Sequence, residues 1–195
     1  MADKGSVRRP AGQDLEASSP DRIRNVVLVG PAGSGKTSLV EALLASAGAV
    51  PRAGNVRDGT TVTDFEDAEK AHGRSISLAV APVVHDGVKI NLIDTPGYAD
   101  FIGDLRAGLR AADCALFVVA ANEDIDAGTR AIWRECADVS MPRAVVITKL
   151  DQARAHYDEV LAQAQDAFDG RTDDFTSPIK SSVLDPLYAA YRAVK

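Results

Sequence analysis

The chain has 195 residues, enough for one α/β domain and hardly enough for two. Apolar content of 46% and charged content of 26% are ordinary for a globular protein, and a net charge of −6 argues against a general nucleic-acid binder, so no DNA partner is expected. Cys114 and Cys136 lie in apolar-periodic segments without metal-ligand spacing and read as reduced core residues; no apolar run is long enough for a bilayer and no secretory leader is visible, so a cytoplasmic protein without a membrane partner is expected.

Residues 1–21 are rich in Ala, Gly, Ser, Pro and charge and read as a disordered tail, leaving 22–195 as the folded domain. Residues 23–29 form a short apolar run, which predicts a buried strand. The stretch Gly30-Pro31-Ala32-Gly33-Ser34-Gly35-Lys36-Thr37 follows at once and fits the phosphate-loop pattern. Apolar residues at helical spacing over 38–47 complete a strand–loop–helix unit. Glycines let the backbone turn tightly and bring N–H groups close to an anion. The helix start adds unpaired N–H groups and a partial positive charge. Lys36 is expected on the β- and γ-phosphates, the Thr37 hydroxyl on Mg²⁺, and residues Gly30 through Thr37, with Ser38, around the phosphates.

Residues 48–74 are long, polar and poor in pattern. A loop of that length next to a phosphate loop predicts a ligand-ordered switch. Residues 76–84 and 88–93 read as strands joined by His85-Asp86-Gly87, a hairpin signal that makes one strand antiparallel. Asp94-Thr95-Pro96-Gly97 stands at the exit of the second strand, where open α/β sheets bind ligands. Asp94 there can hold Mg²⁺ through a water, and Gly97 can turn its N–H to a γ-phosphate.

Further along, residues 101–112 read as a helix, 115–120 as an apolar strand and 129–139 as a helix. Trp133, on the apolar face of that helix, is a core residue. Residues 144–147 are a buried strand running into Thr148-Lys149-Leu150-Asp151. An Asp carboxylate accepts two hydrogen bonds, and guanine offers adjacent N1–H and N2–H₂ donors where adenine has no such pair. The Lys149 stem can lie over the purine, and Thr148 can tie this loop to the phosphate loop. An amphipathic helix is expected over 152–168, with His156 and Tyr157 at its surface. A short strand at 178–180 and a closing helix at 183–194 complete the reading, with Ser181 and Ser182 near guanine O6.

Three motifs in this order at strand ends resemble the G domain of translational GTPases. Asp94-Thr95-Pro96-Gly97-Tyr98-Ala99-Asp100-Phe101 is similar to the DTPGHxDF segment of elongation factor G. The run Asp58-Gly59-Thr60-Thr61 through Asp64-Phe65, then Gly73-Arg74-Ser75-Ile76, resembles that family's first switch. Leu109-Arg110-Ala111-Ala112-Asp113 and Trp133-Arg134 also resemble its G domain. The likeness runs from about 24 to 168, nearest to an elongation factor G-like branch. It implies a Ras-like P-loop NTPase: a doubly wound, mostly parallel six-stranded sheet with one antiparallel strand and helices on both faces. It implies GTP, GDP and Mg²⁺, with Thr37, Ser75 and Asp94 at the metal and a ribosome as partner. It implies hydrolysis by in-line water attack, with Lys36, Gly97 and Tyr98 at the reacting phosphate.

Tyr98 stands where the family has a water-orienting His. A phenol of pKa about 10 can donate a hydrogen bond but cannot become an imidazolium, so slow hydrolysis is expected. The family's later domains lie beyond this chain, which reads as a G domain alone with an atypical closing segment at 171–195. One rival is a nucleotide-gated binding module without useful turnover. Another is an ATP-dependent kinase or partition-type ATPase built on the same loop.

Overall fold

The computed structural model describes residues 19–64, 66, 69, 75–152 and 157–168. After a 3₁₀ turn at Pro20–Arg22, β1 (Ile23–Val29) leads into the glycine loop and α1 (Lys36–Ser46). The hairpin β2 (Ala79–His85) and β3 (Val88–Asp94) follows, then a 3₁₀ turn at Ala99–Phe101 and α2 (Ile102–Ala111). The chain continues through β4 (Cys114–Ala120), α3 (Ala127–Asp138), β5 (Arg143–Thr148) and α4 (Tyr157–Ala167).

Among the described residues the strands form one five-stranded sheet in the order β2-β3-β1-β4-β5. β1 pairs parallel with β3 and β4, and β5 runs parallel to β4. Only β2 is antiparallel, pairing with β3 from Ala79 opposite Asp94 to His85 opposite Val88. The Asp-Gly hairpin reading therefore holds, with Asp86 and Gly87 both at positive φ, as the tight two-residue turn requires. The strand expected at 178–180 and the helix at 183–194 lie outside the described residues. So do residues 1–18 of the expected tail.

β1 from Val26 onward and all of β4 are apolar and buried because both their faces are covered. Val27 and Val29 of β1 and Ala115, Phe117 and Val119 of β4 point to a core shared with α2, α3 and α4. Val26 and Leu28, with Cys114, Leu116 and Val118, point the other way, to α1 and the hairpin. A period of two splits each strand between two cores, the pattern of a sheet wrapped on both sides. Trp133 is buried against Phe117 and Phe168, with ring centroids 4.9 and 4.2 Å away. The Arg143 guanidinium lies 4.5 Å from the centre of its ring. Trp133 is thus a core residue. Cys114 and Cys136 are buried free thiols, as the sequence reading has them.

Two element starts differ from expectation for a physical reason that side chains supply. β2 begins at Ala79 rather than residue 76, because a side chain engages the backbone before it. The buried Glu69 accepts hydrogen bonds from the N–H groups of Ile76 (3.0 Å) and Ser77 (3.2 Å). α3 begins at Ala127, where Asp126 Oδ1 accepts from the Thr129 N–H at 2.6 Å and caps the helix. The helix expected from 152 is described only from Tyr157, half-exposed as expected, while Asp151 and Gln152 form a turn after β5. His156 lies outside the described residues.

Candidate functional site

Parallel pairing brings the carboxyl ends of β1, β3, β4 and β5 to one edge of the sheet. The loops leaving β1, β3 and β5 there surround a cavity of about 840 Å³. Ala32, Gly33 and Gly35 line it from the first loop with Lys36, Thr37 and Ser38 from the start of α1, Thr95, Gly97 and Tyr98 from the second loop, and Thr148 at the end of β5 with Lys149, Leu150 and Asp151 from the third. Ser75, Asp64, Val56 and Arg57 add a wall from the segment between α1 and β2. Gly30, Pro31 and Ser34 complete the first loop without lining the cavity, and Asp94 and Pro96 flank the second in the same way. Ser181 and Ser182 lie outside the described residues.

The first loop has the conformation its glycines predict. Gly33 and Gly35 hold φ of +80° and +96°, a region that side chains with a Cβ avoid. Gly35 is the N-cap of α1 and supplies no side-chain cap, so the first N–H groups of the helix are open to an anion. The Lys36 ammonium donates to the Gly30 and Pro31 carbonyls at 2.9 and 3.0 Å, which folds the loop around it. Lys36 is buried, and burial lowers its pKa, against the raising influence of the Asp94 and Asp126 charges. An anion in the loop would relieve that cost.

The second loop touches the first. A Cβ on Gly97 would stand 2.5 Å from the Ala32 nitrogen and 2.7 Å from the Lys36 Nζ, so only glycine fits there. Thr95 donates its hydroxyl to the Leu28 carbonyl at 2.6 Å, pinning the loop to β1. Tyr98 is partly exposed at the cavity mouth.

Four oxygen-bearing side chains meet beside Thr37. The Thr37 hydroxyl donates to Asp94 Oδ2 at 2.7 Å and lies 3.3 Å from the Ser75 hydroxyl. The Thr63 hydroxyl donates to the same Asp94 oxygen at 3.1 Å, and Ser75 donates to Asp64 Oδ1 at 2.6 Å. Asp94 Oδ1 is buried without a hydrogen-bond partner among the described residues. Burial raises the Asp94 pKa to about 6; the Thr37 hydrogen bond, the Lys36 charge and the Thr63 hydrogen bond oppose it, and the Asp64 charge adds to it. No group of three or more His, Cys, Asp and Glu side chains placed to hold a metal ion occurs among the described residues. The donors here are hydroxyls and carboxylates, hard oxygens of the kind Mg²⁺ takes, and one carboxylate oxygen is orphaned; the set fits that ion. Sequence reasoning missed Thr63, Asp64 as a member of this cluster, and Glu69. A run of short polar side chains in a switch-like loop was the available signal.

At the third loop the Thr148 hydroxyl donates to the Ser34 carbonyl at 2.6 Å, with the Val119 carbonyl 3.2 Å away. That bond ties β5's exit to the phosphate loop. Lys149 sits at φ +57°, unusual for a side chain of its size, and its ammonium pairs with Glu123 Oε1 at 3.1 Å. This strained residue turns the chain so that Leu150 and Asp151 face the cavity's rim, and the Asp151 carboxylate is exposed there.

A family profile described as the elongation factor Tu GTP binding domain matches residues 21–189. An elongation factor G-like protein of Mycobacterium tuberculosis is 60% identical over 168 residues, covering 86% of this chain and 24% of that protein. An oxytetracycline resistance protein of Streptomyces rimosus is 39% identical over 142 residues, covering 73% of this chain and 21% of that protein. A crystal structure of a Thermus thermophilus protein, 44% identical, superposes with a TM-score of 0.70 over 74% of this chain and 22% of that one. The chain thus spans about a quarter of the length of the curated relatives it matches, 24% of one and 21% of the other.

Proposed function

The chain belongs to the family of elongation factor Tu-type GTP-binding domains, and on that premise we propose that it binds GTP at the sheet edge and hydrolyses it slowly to GDP and phosphate. The observation that carries this reading is the meeting of three loops on one cavity: Lys36, Gly97 and Asp151 all line it. Lys36 and the N–H groups of the glycine loop hold the phosphate charge. Thr37, Ser75 and Asp94 would hold Mg²⁺, which when bound would neutralise phosphate charge. Gly97 presents its N–H to the γ-phosphate, and Tyr98 stands where a water must be oriented for in-line attack. Asp151 accepts from guanine N1–H and N2–H₂, while Thr148 keeps its loop in register with the phosphates. The ribosome is the partner this reading names, and the cytoplasm its compartment.

Single-turnover hydrolysis with purified protein, with and without ribosomes, tests the enzyme reading. The expected result is slow GTP cleavage that a Lys36→Ala variant lacks, together with at least about 100-fold weaker nucleotide binding from the lost charge-assisted bonds. A wild-type rate no faster than the variant's would refute turnover. It would leave the second reading, a nucleotide-gated binding module, which Tyr98 in place of an imidazole favours.

A further inference from the structure

Glu41 is the sole carboxylate of α1 and is 1% exposed, set between Val40 and Leu43 on a helix packed against the sheet. A buried carboxylate persists only where donors meet it. Its donors come from the segment that precedes β2, not from α1. The Gly54 N–H donates to Oε2 at 2.8 Å and the Val62 N–H to Oε1 at 2.5 Å. Between these two points the segment is closed on itself: the Asn55 carbonyl accepts from the N–H groups of Asp58 and Thr60, each at 3.2 Å. The Asn55 N–H in turn donates to the Thr60 hydroxyl at 2.9 Å. A Cβ on Gly54 would lie 2.5 Å from the Thr60 carbonyl oxygen and 2.9 Å from Glu41 Oε2, so the contact leaves no room for a side chain.

The segment so held carries part of the cavity. Val56 and Arg57 line it, and Thr63, next after the second anchor, donates to Asp94. We propose that Glu41 is a positioning residue, one carboxylate that fastens both ends of segment 54–62 to the phosphate-loop helix and thereby fixes the Val56–Arg57 wall of the cavity. The inference rests on the nucleotide reading of that cavity. It makes α1 a two-ended part: its first turn faces the phosphates, and its second turn anchors the wall opposite. Glutamine at 41 could accept from one N–H but would turn an NH₂ toward the other. Alanine at 54 would break the same contact from the loop's side with Glu41 intact.

Amide hydrogen exchange, residue by residue, on wild type, Glu41→Gln and Gly54→Ala tests this, alongside release of a fluorescent GDP. Wild-type Gly54 and Val62 amides are expected to be protected. In Glu41→Gln the Gly54 and Val62 amides, and in Gly54→Ala the Val62 amide, are expected to exchange about tenfold faster or more, with β1 and β4 amides unchanged. GDP release is expected to quicken about fivefold or more in both variants. Unchanged exchange in both variants would overturn the proposal, as would faster exchange with unchanged GDP release. If Glu41→Gln also loses strand protection, its core has failed, and Gly54→Ala decides alone. If wild type retains no GDP, the nucleotide reading falls separately, and exchange at Val62 still decides whether Glu41 is the fastener.

Discussion

Tyr98 carries the sharpest chemical question at the scale of single residues. It lines the cavity next to Gly97, whose backbone abuts Ala32 and Lys36. A phenol there can donate one hydrogen bond, whereas an imidazole can also take a proton. Tyr98→His is therefore expected to raise single-turnover GTP cleavage by about 100-fold or more, the lower end of what a positioned acid–base group contributes, with GDP affinity little changed. An unchanged rate would show that this position does not limit the chemistry. The thiols give a second residue-level expectation. Burial, with the Asp113 charge beside it, pushes Cys114 up to about 12, and burial pushes Cys136 up to about 11. A folded pKa above the unfolded value of 9.0 means that the neutral thiol's contribution is fully present below pH 9 and is lost as pH rises toward 12. Native protein at pH 8 is expected to leave both thiols unreacted with a disulfide reagent, and denaturant to expose two. Rapid reaction of either in the native state would contradict that packing.

Elements were legible in the sequence where one local rule dominates. β1, β4 and β5 announce themselves as apolar runs, the hairpin by Asp86-Gly87, and α1 by its phosphate loop. The boundaries that escaped are those set by side chains reaching across sequence. Glu69 holds the backbone of Ile76 and Ser77 away from strand pairing, and no periodicity encodes that. Glu41 is equally silent: a glutamate in a helix suggests solvent until its two distant donors are seen. The Thr148 bond to Ser34 spans 114 positions, yet its residue was readable because the motif names it. Asp126, which begins α3, offers a test at this scale. Its cap is a 2.6 Å bond from Thr129, and Asp126→Ala is expected to cost about 1 kcal/mol, lowering the melting temperature by about 2–4 °C. Thermal unfolding followed by circular dichroism reads it; an unshifted midpoint would mean that the cap contributes nothing.

The whole molecule is a two-sided sheet whose carboxyl edge gathers loops separated by more than a hundred positions, from Gly30 to Asp151. Parallel order does the gathering: β3, β1, β4 and β5 all point their ends the same way. Two apolar cores hold the sheet rigid between α1 on one side and α2, α3 and α4 on the other. On the proposed reading the site's chemistry follows from that frame, since a phosphate grip at one end and a carboxylate at the other would fix both ends of one nucleotide. Equilibrium competition of GTP and ATP for a bound fluorescent GDP, on wild type and Asp151→Asn, measures this directly. GTP is expected to displace the probe at least about 100-fold better than ATP, and Asp151→Asn to lose about 100-fold in GTP affinity, as one charge-assisted bond is lost and the amide NH₂ is turned toward a guanine donor. Equal displacement by GTP and ATP, or an Asp151→Asn variant that still prefers GTP undiminished, would contradict it.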